Sequence, residues 1–163
     1  MNWVLATITS VAAGLRGSLR SLRVWLVPQL PLIGLSAALG LAAIELPAHL
    51  HDPLPPVRSP LFQWLGQGWQ YCDCRLSWIL LFALGLILGL LWPKQWLVSG
   101  LTTMLAFPIA ASVEMLIYPR SHSLFPIEFA LYLFFALFSV AGAFLGRVLN
   151  TLTSRIRRSP DPR

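Results

Sequence analysis

Four long apolar runs separated by short polar stretches set the pattern of this 163-residue chain. Residues 24–46, "VWLVPQLPLIGLSAALGLAAIEL", carry one charge, Glu45, next to the last position. Residues 76–92, "LSWILLFALGLILGLLW", carry none. Residues 96–118 carry only Glu114, and residues 127–146 only Glu128. A helix that crosses a bilayer takes about 20 residues, with about 17 to 25 tolerated. The pattern therefore predicts an all-α, four-span transmembrane helical bundle over residues 24–149, with the second run at the short limit. An outer loop, 47–75, joins the first two spans.

The first 23 residues read differently. Arg16, Arg20 and Arg23 recur at spacings of four and three, and Leu15, Leu19, Leu22 and Leu26 recur one position behind. Two such faces suit an N-terminal amphipathic helix lying at the membrane interface, its leucines in the acyl boundary and its arginines at anionic headgroups. The positive n-region of a signal peptide is absent from "MNWVLATITSVAAGL".

Composition agrees with the pattern and names the solvent. Hydrophobic residues make up 56% of the chain, charged residues 11%, and the mean hydropathy is +0.70. A soluble domain carries about 25% charged residues, so lipid is the expected surroundings.

Charge also orients the chain. With the N-terminus inside, nine of the 12 Lys and Arg residues fall on the inner side. The other three, Arg58, Arg75 and Arg120, fall outside. That bias predicts both termini in the cytoplasm, and a bacterial inner membrane as the location. The net charge of +6 becomes a cytoplasmic rim facing anionic lipid, continued by a basic tail over 150–163. A nucleic-acid partner is not expected, because no basic groove is interleaved with aromatics. Nor is any cofactor.

Small residues recur at spacings of four on every span: Gly85 and Gly89, Gly142 and Gly146, Gly34 with Ala38 and Ala42, and Ala106 with Ala110. Such stripes let helices approach closely in lipid. Pro28, Pro31 and Pro108 predict kinks in the first and third spans.

Chemistry-bearing residues gather on the outer face. His49 and His51 in "HLHD" and Cys72 and Cys74 in "CDC" are candidate metal or redox groups by ligand type, although CxC is shorter than the two-to-four-residue separation of a usual structural site. A four-span chain with a dithiol on its first outer loop resembles the quinone-linked membrane disulfide oxidases of bacteria, and the resemblance implies a redox role for Cys72 and Cys74. The motif departs from that family. CxC stands in place of CxxC, and residues 119–126, "PRSHSLFP", lack the second cysteine pair.

The densest polar stretch is "EMLIYPRSHSLFPIE", residues 114–128. Arg120 is placed to pair with Glu114 or Glu128 as a structural clasp. Glu114, His122 and Glu128 are the candidate catalytic groups, suited to acid–base work. "SVEMLIYPRS" followed by "AGAFLG" at 141–146 resembles the end of the VanZ-like membrane proteins. Those place a glutamate late in a span, a basic residue in the next turn and small residues in the final helix. That family's aspartate and asparagine in the last helix, and its early lysine–histidine feature, are missing here. The resemblance implies an outer-face membrane protein without a defined activity.

The expected function is that of a non-enzymatic structural or accessory subunit, packing with a second copy or within a larger membrane assembly. The alternative is an outward-facing enzyme or a redox or metal-binding protein using the outer Glu, His and Cys residues.

Overall fold

A computed structural model describes residues 26–50, 61–62, 74–119 and 125–158. The amphipathic helix expected over 1–23 lies outside them. The chain divides into two compact units, Met1–Leu32 and Ile33–Arg163. In the first, Pro28 opens a 3-10 turn at Val27–Gln29, as expected where proline withholds an N–H from a regular helix. Five α-helices follow: α1 (Leu30–Leu50), α2 (Cys74–Leu91), α3 (Trp96–Thr102), α4 (Ala106–Ile117) and α5 (Phe125–Arg158).

The second unit is built on the contact between α2 and α5. Gly85 and Gly89 of α2 lie against the backbone of Ser139 and Ala143, and a Cβ at either glycine would overlap the facing carbonyl oxygen. The relation is reciprocal: Gly142 and Gly146 of α5 lie against the carbonyls of Phe82 and Leu86. The two GxxxG stripes therefore pack onto each other. Helix backbones this close gain van der Waals contact and Cα–H···O interactions that bulkier residues would prevent. Asn150 extends the pairing by donating to the Leu90 carbonyl at 2.8 Å, which satisfies one of the orphan acceptors at the end of α2.

α3 joins the same surface. A Cβ at Gly100 would stand 2.8 Å from the Val140 Cα, and Trp96 meets Phe144 edge-on with centroids 5.4 Å apart. Arg147 covers the Trp96 ring at 5.7 Å, a cation–π contact. α1 reaches the bundle through Gly40, which abuts the Thr103 carbonyl, and through a hydroxyl pair between Ser36 and Thr102. Ala43, Ile44, Leu81, Met104, Phe107, Ala111, Tyr132, Phe135 and Ala136 close the core between these helices.

Between α3 and α4 the chain bends by 46°. Pro108 has no N–H for the Met104 carbonyl. That carbonyl instead takes the Phe107 N–H at 3.3 Å, while the Leu105 N–H reaches Thr102 O at 3.1 Å. Shorter-period bonds tighten the turn and turn the axis. The kink expected from Pro108 thus falls one turn before the proline.

Val27–His49 and Pro126–Ile156 are each long and apolar enough to cross a membrane, and the bent pair makes a third if taken as one span. Arg75–Leu91 is a shorter apolar helix. The chain is a small all-α multi-span membrane protein, with two to three helices of spanning length among the described residues. Its apolar exterior fits that setting: Leu116 is 83% and Ile79 65% exposed. α5 outruns the apolar stretch and continues through "TLTSRIRR" to Arg158, because no Gly or Pro interrupts the helix before Pro160.

The glycine contact yields a direct test. Gly85→Ala should lower thermal stability in detergent, overpacking of this kind costing about 1–3 kcal/mol. Gly34→Ala is the control, since a Cβ there meets nothing within 4 Å. It should hold or raise stability, alanine being the better helix former by about 0.8–1 kcal/mol. Equal losses in both variants would remove the glycine contact as the cause.

Candidate functional site

The site begins on α4. Its buried residues, Phe107, Ala110, Ala111 and Glu114, follow spacings of three, one and three, which is one face of a helix. Glu114 is therefore carried on the core stripe, where it is 4% exposed. Its Oε1 accepts the backbone N–H groups of both Leu61 and Phe62 at 3.1 Å. Hydrogen bonds to a carboxylate are stronger than neutral ones, so the bonds tie the segment after the first span to the end of α4. α4 stops immediately beyond, where the Tyr118 N–H bonds to Glu114 O at 2.7 Å and Pro119 follows.

Glu128 lies in the first turn of α5, half-buried. A helix N-terminus favours a carboxylate there by about 0.3–1 kcal/mol. Tyr132 follows one turn later, buried against Phe107 and Phe129 at centroid distances of 5.7 and 5.8 Å. Glu114 and Glu128 both act electrostatically on the Tyr132 hydroxyl. The structure thus brings the two acidic candidates and one tyrosine to the same end of the bundle. Tyr132 also lines an open apolar groove of about 420 Å³ beside the bend, with Met104, Pro108, Phe129 and Ala136. That hydrocarbon lining offers room for an apolar chain and supplies no proton donor beyond the tyrosine.

The remaining candidates are dispersed. His49 occupies the last turn of α1, its Nδ1 2.9 Å from Glu45 O and 3.6 Å from Glu45 Oε2. Cys74 is the first residue of α2. Arg120, His122, His51 and Cys72 lie outside the described residues. Among the described residues no group of three or more His, Cys, Asp or Glu side chains is placed to hold a metal ion.

No family model, curated protein or solved structure matches this chain. The likenesses to disulfide oxidases and to VanZ-like proteins rest on the quoted motifs alone.

Three participants escape a reading of the sequence as runs and motifs. The amides of Leu61 and Phe62 carry no side-chain signature. Tyr132 looks like one more aromatic in "FALYLFF". Glu45, a lone charge inside an apolar run, does carry a signal. The spacing Phe107–Ala110–Ala111–Glu114 carries another, since it assigns Glu114 to the apolar stripe.

Glu114→Ala should expose the Leu61 and Phe62 amides to faster hydrogen exchange, by the loss of bonds worth about 1.5–3 kcal/mol each when the acceptor is charged. Glu114→Gln retains an oxygen acceptor and should keep most of the protection. Unchanged exchange at both amides in the alanine variant would refute the tie.

Proposed function

We propose that this protein is a non-enzymatic structural or accessory subunit of a membrane assembly. The observation that carries the reading is the employment of Glu114. The strongest candidate for acid–base chemistry is buried, and its carboxylate holds two backbone amides. A group that fixes a chain segment in this way positions structure and does not offer itself to a substrate.

The same reading takes α2 as a fourth span. At about 1.5 Å per residue its apolar stretch is shorter than a typical hydrocarbon core, a mismatch that Arg75 at its end and local thinning can absorb. The excess of Lys and Arg on one side supports cytoplasmic termini in a bacterial inner membrane. Anionic headgroups are the partners of the basic rim. Exposed apolar side chains such as Ile79 of α2 and Leu116 of α4 offer surface to a second copy or a larger membrane protein.

In this reading Arg120 pairs with Glu114 or Glu128 and completes the clasp. Losing one partner of a buried pair costs about 3–5 kcal/mol. Arg120→Ala should therefore lower thermal stability in detergent more than Arg58→Ala. An unchanged melting temperature in Arg120→Ala would dissolve the clasp.

Purification in mild detergent tests the function. A stoichiometric partner, or a homo-oligomer that survives dilution, is expected. A monomer with bound metal or quinone would instead favour an enzyme or redox protein built on His122, His49, His51, Cys72 and Cys74.

A further inference from the structure

Glu45 lies within the span Val27–His49, and it is 9% exposed. Neither oxygen of its side chain takes a hydrogen bond among the described residues. Glu114 presents the contrast, being buried as well but supplied with two N–H donors. An ionised carboxylate without donors is costly to keep in an apolar interior, and a proton on the group removes that cost.

The local backbone adds to the imbalance. Pro47 stands inside α1 and has no N–H to give the Ala43 carbonyl. This turn of the helix is therefore rich in acceptors and short of donors. A proton on Glu45 converts one acceptor into a donor.

One turn further on stands His49, its side chain 45% exposed. A backbone carbonyl can only accept, so the 2.9 Å contact from Nδ1 to Glu45 O places a hydrogen on Nδ1. In the neutral ring Nε2 is then the acceptor. The same Nδ1 lies 3.6 Å from Glu45 Oε2, so a small side-chain rotation brings the two within proton-transfer reach. Among the described residues His49 is the titratable side chain that meets the carboxyl at ion-pair distance.

We propose that Glu45 is a membrane-embedded proton-binding site, loaded from the aqueous edge of the bundle through His49. In the loading step the Nε2 lone pair takes a proton from water-borne acid. The Nδ1–H bond breaks with its electron pair left on nitrogen, and a lone pair on Oε2 forms the new O–H bond. The ring ends neutral with its hydrogen on Nε2, and one proton has moved inward. The site stands independently of the assembly role proposed above.

Dicyclohexylcarbodiimide tests this, because it is an apolar reagent that attacks protonated carboxyl groups in lipid and spares carboxylates. The full chain in liposomes is treated across a pH series spanning the histidine range near about 6.5, and adducts are located by peptide mass spectrometry. Glu45 should carry the adduct, in preference to Glu114, and labelling should rise as pH falls. His49→Ala should move the labelling curve to higher pH, because it removes the imidazolium charge that favours the carboxylate. Glu45→Gln should abolish that adduct and keep the wild-type melting temperature, since the amide stands in for the neutral acid. Absence of a Glu45 adduct in the wild-type chain, labelling independent of pH, or a His49→Ala curve superimposed on the wild type would each overturn the proposal. So would a marked destabilisation in Glu45→Gln, which would make the ionised form the structural one.

Discussion

The closeness of α2 and α5 is the constraint on which the rest of this structure depends. In lipid the hydrophobic effect does not drive one apolar helix against another, so association rests on contact distance and a few polar bonds. Gly85, Gly89, Gly142 and Gly146 supply the distance, each lying where a Cβ would overlap the partner's backbone. Because the four glycines alternate across the seam, the register of the pair is set. A shift by one residue would place Leu86 or Ala143 where a glycine is required. α3 then lies against the α5 backbone through Gly100, and α1 approaches the turn after α3 through Gly40.

Hydroxyls and carboxylates in this interior are handled differently. Four buried or half-buried hydroxyls turn back on their own helices: Ser99 to Trp96 O, Thr102 to Val98 O, Thr103 to Gly100 O and Ser112 to Pro108 O. Thr102 also meets the Ser36 hydroxyl of α1, and three of the four flank the bend before Pro108. Carboxylates are too costly for such treatment. Glu114 recruits two amides from a distant segment, whereas among the described residues Glu45 has His49 alone at ion-pair distance. This difference in donor supply separates an anchor from a proton-binding group, although both residues are glutamates late in an apolar run.

Much of the architecture was legible from periodicity and composition. The apolar runs located the helices, and the glycine stripes of α2 and α5 marked surfaces that meet, whereas Gly34, Ala38 and Ala42 of α1 are exposed and that helix packs through Ser36 and Gly40 on its other face. Pro108 announced the bend, though its position moved by a turn because the missing N–H disturbs the bonds before the proline. Less was legible at the candidate site. Nearness in sequence suggests Arg120 as a partner for Glu114 and leaves that pairing open, whereas the donors at Leu61 and Phe62 lie more than fifty residues away. Backbone amides leave no trace in residue type, so no motif could point to them.

By itself the sequence determined the solvent, the helical class and the small residues available for contact, because each depends on local composition and spacing. A run with no charge across seventeen residues, 76–92, belongs to an apolar setting whatever its neighbours are. Tertiary structure alone decided which glycine stripe meets which, that Glu114 holds the chain at Leu61 and Phe62, and that Glu45 is buried without a donor among the described residues. Those outcomes depend on distances between segments far apart in the chain. Such distances arise only when the helices have packed.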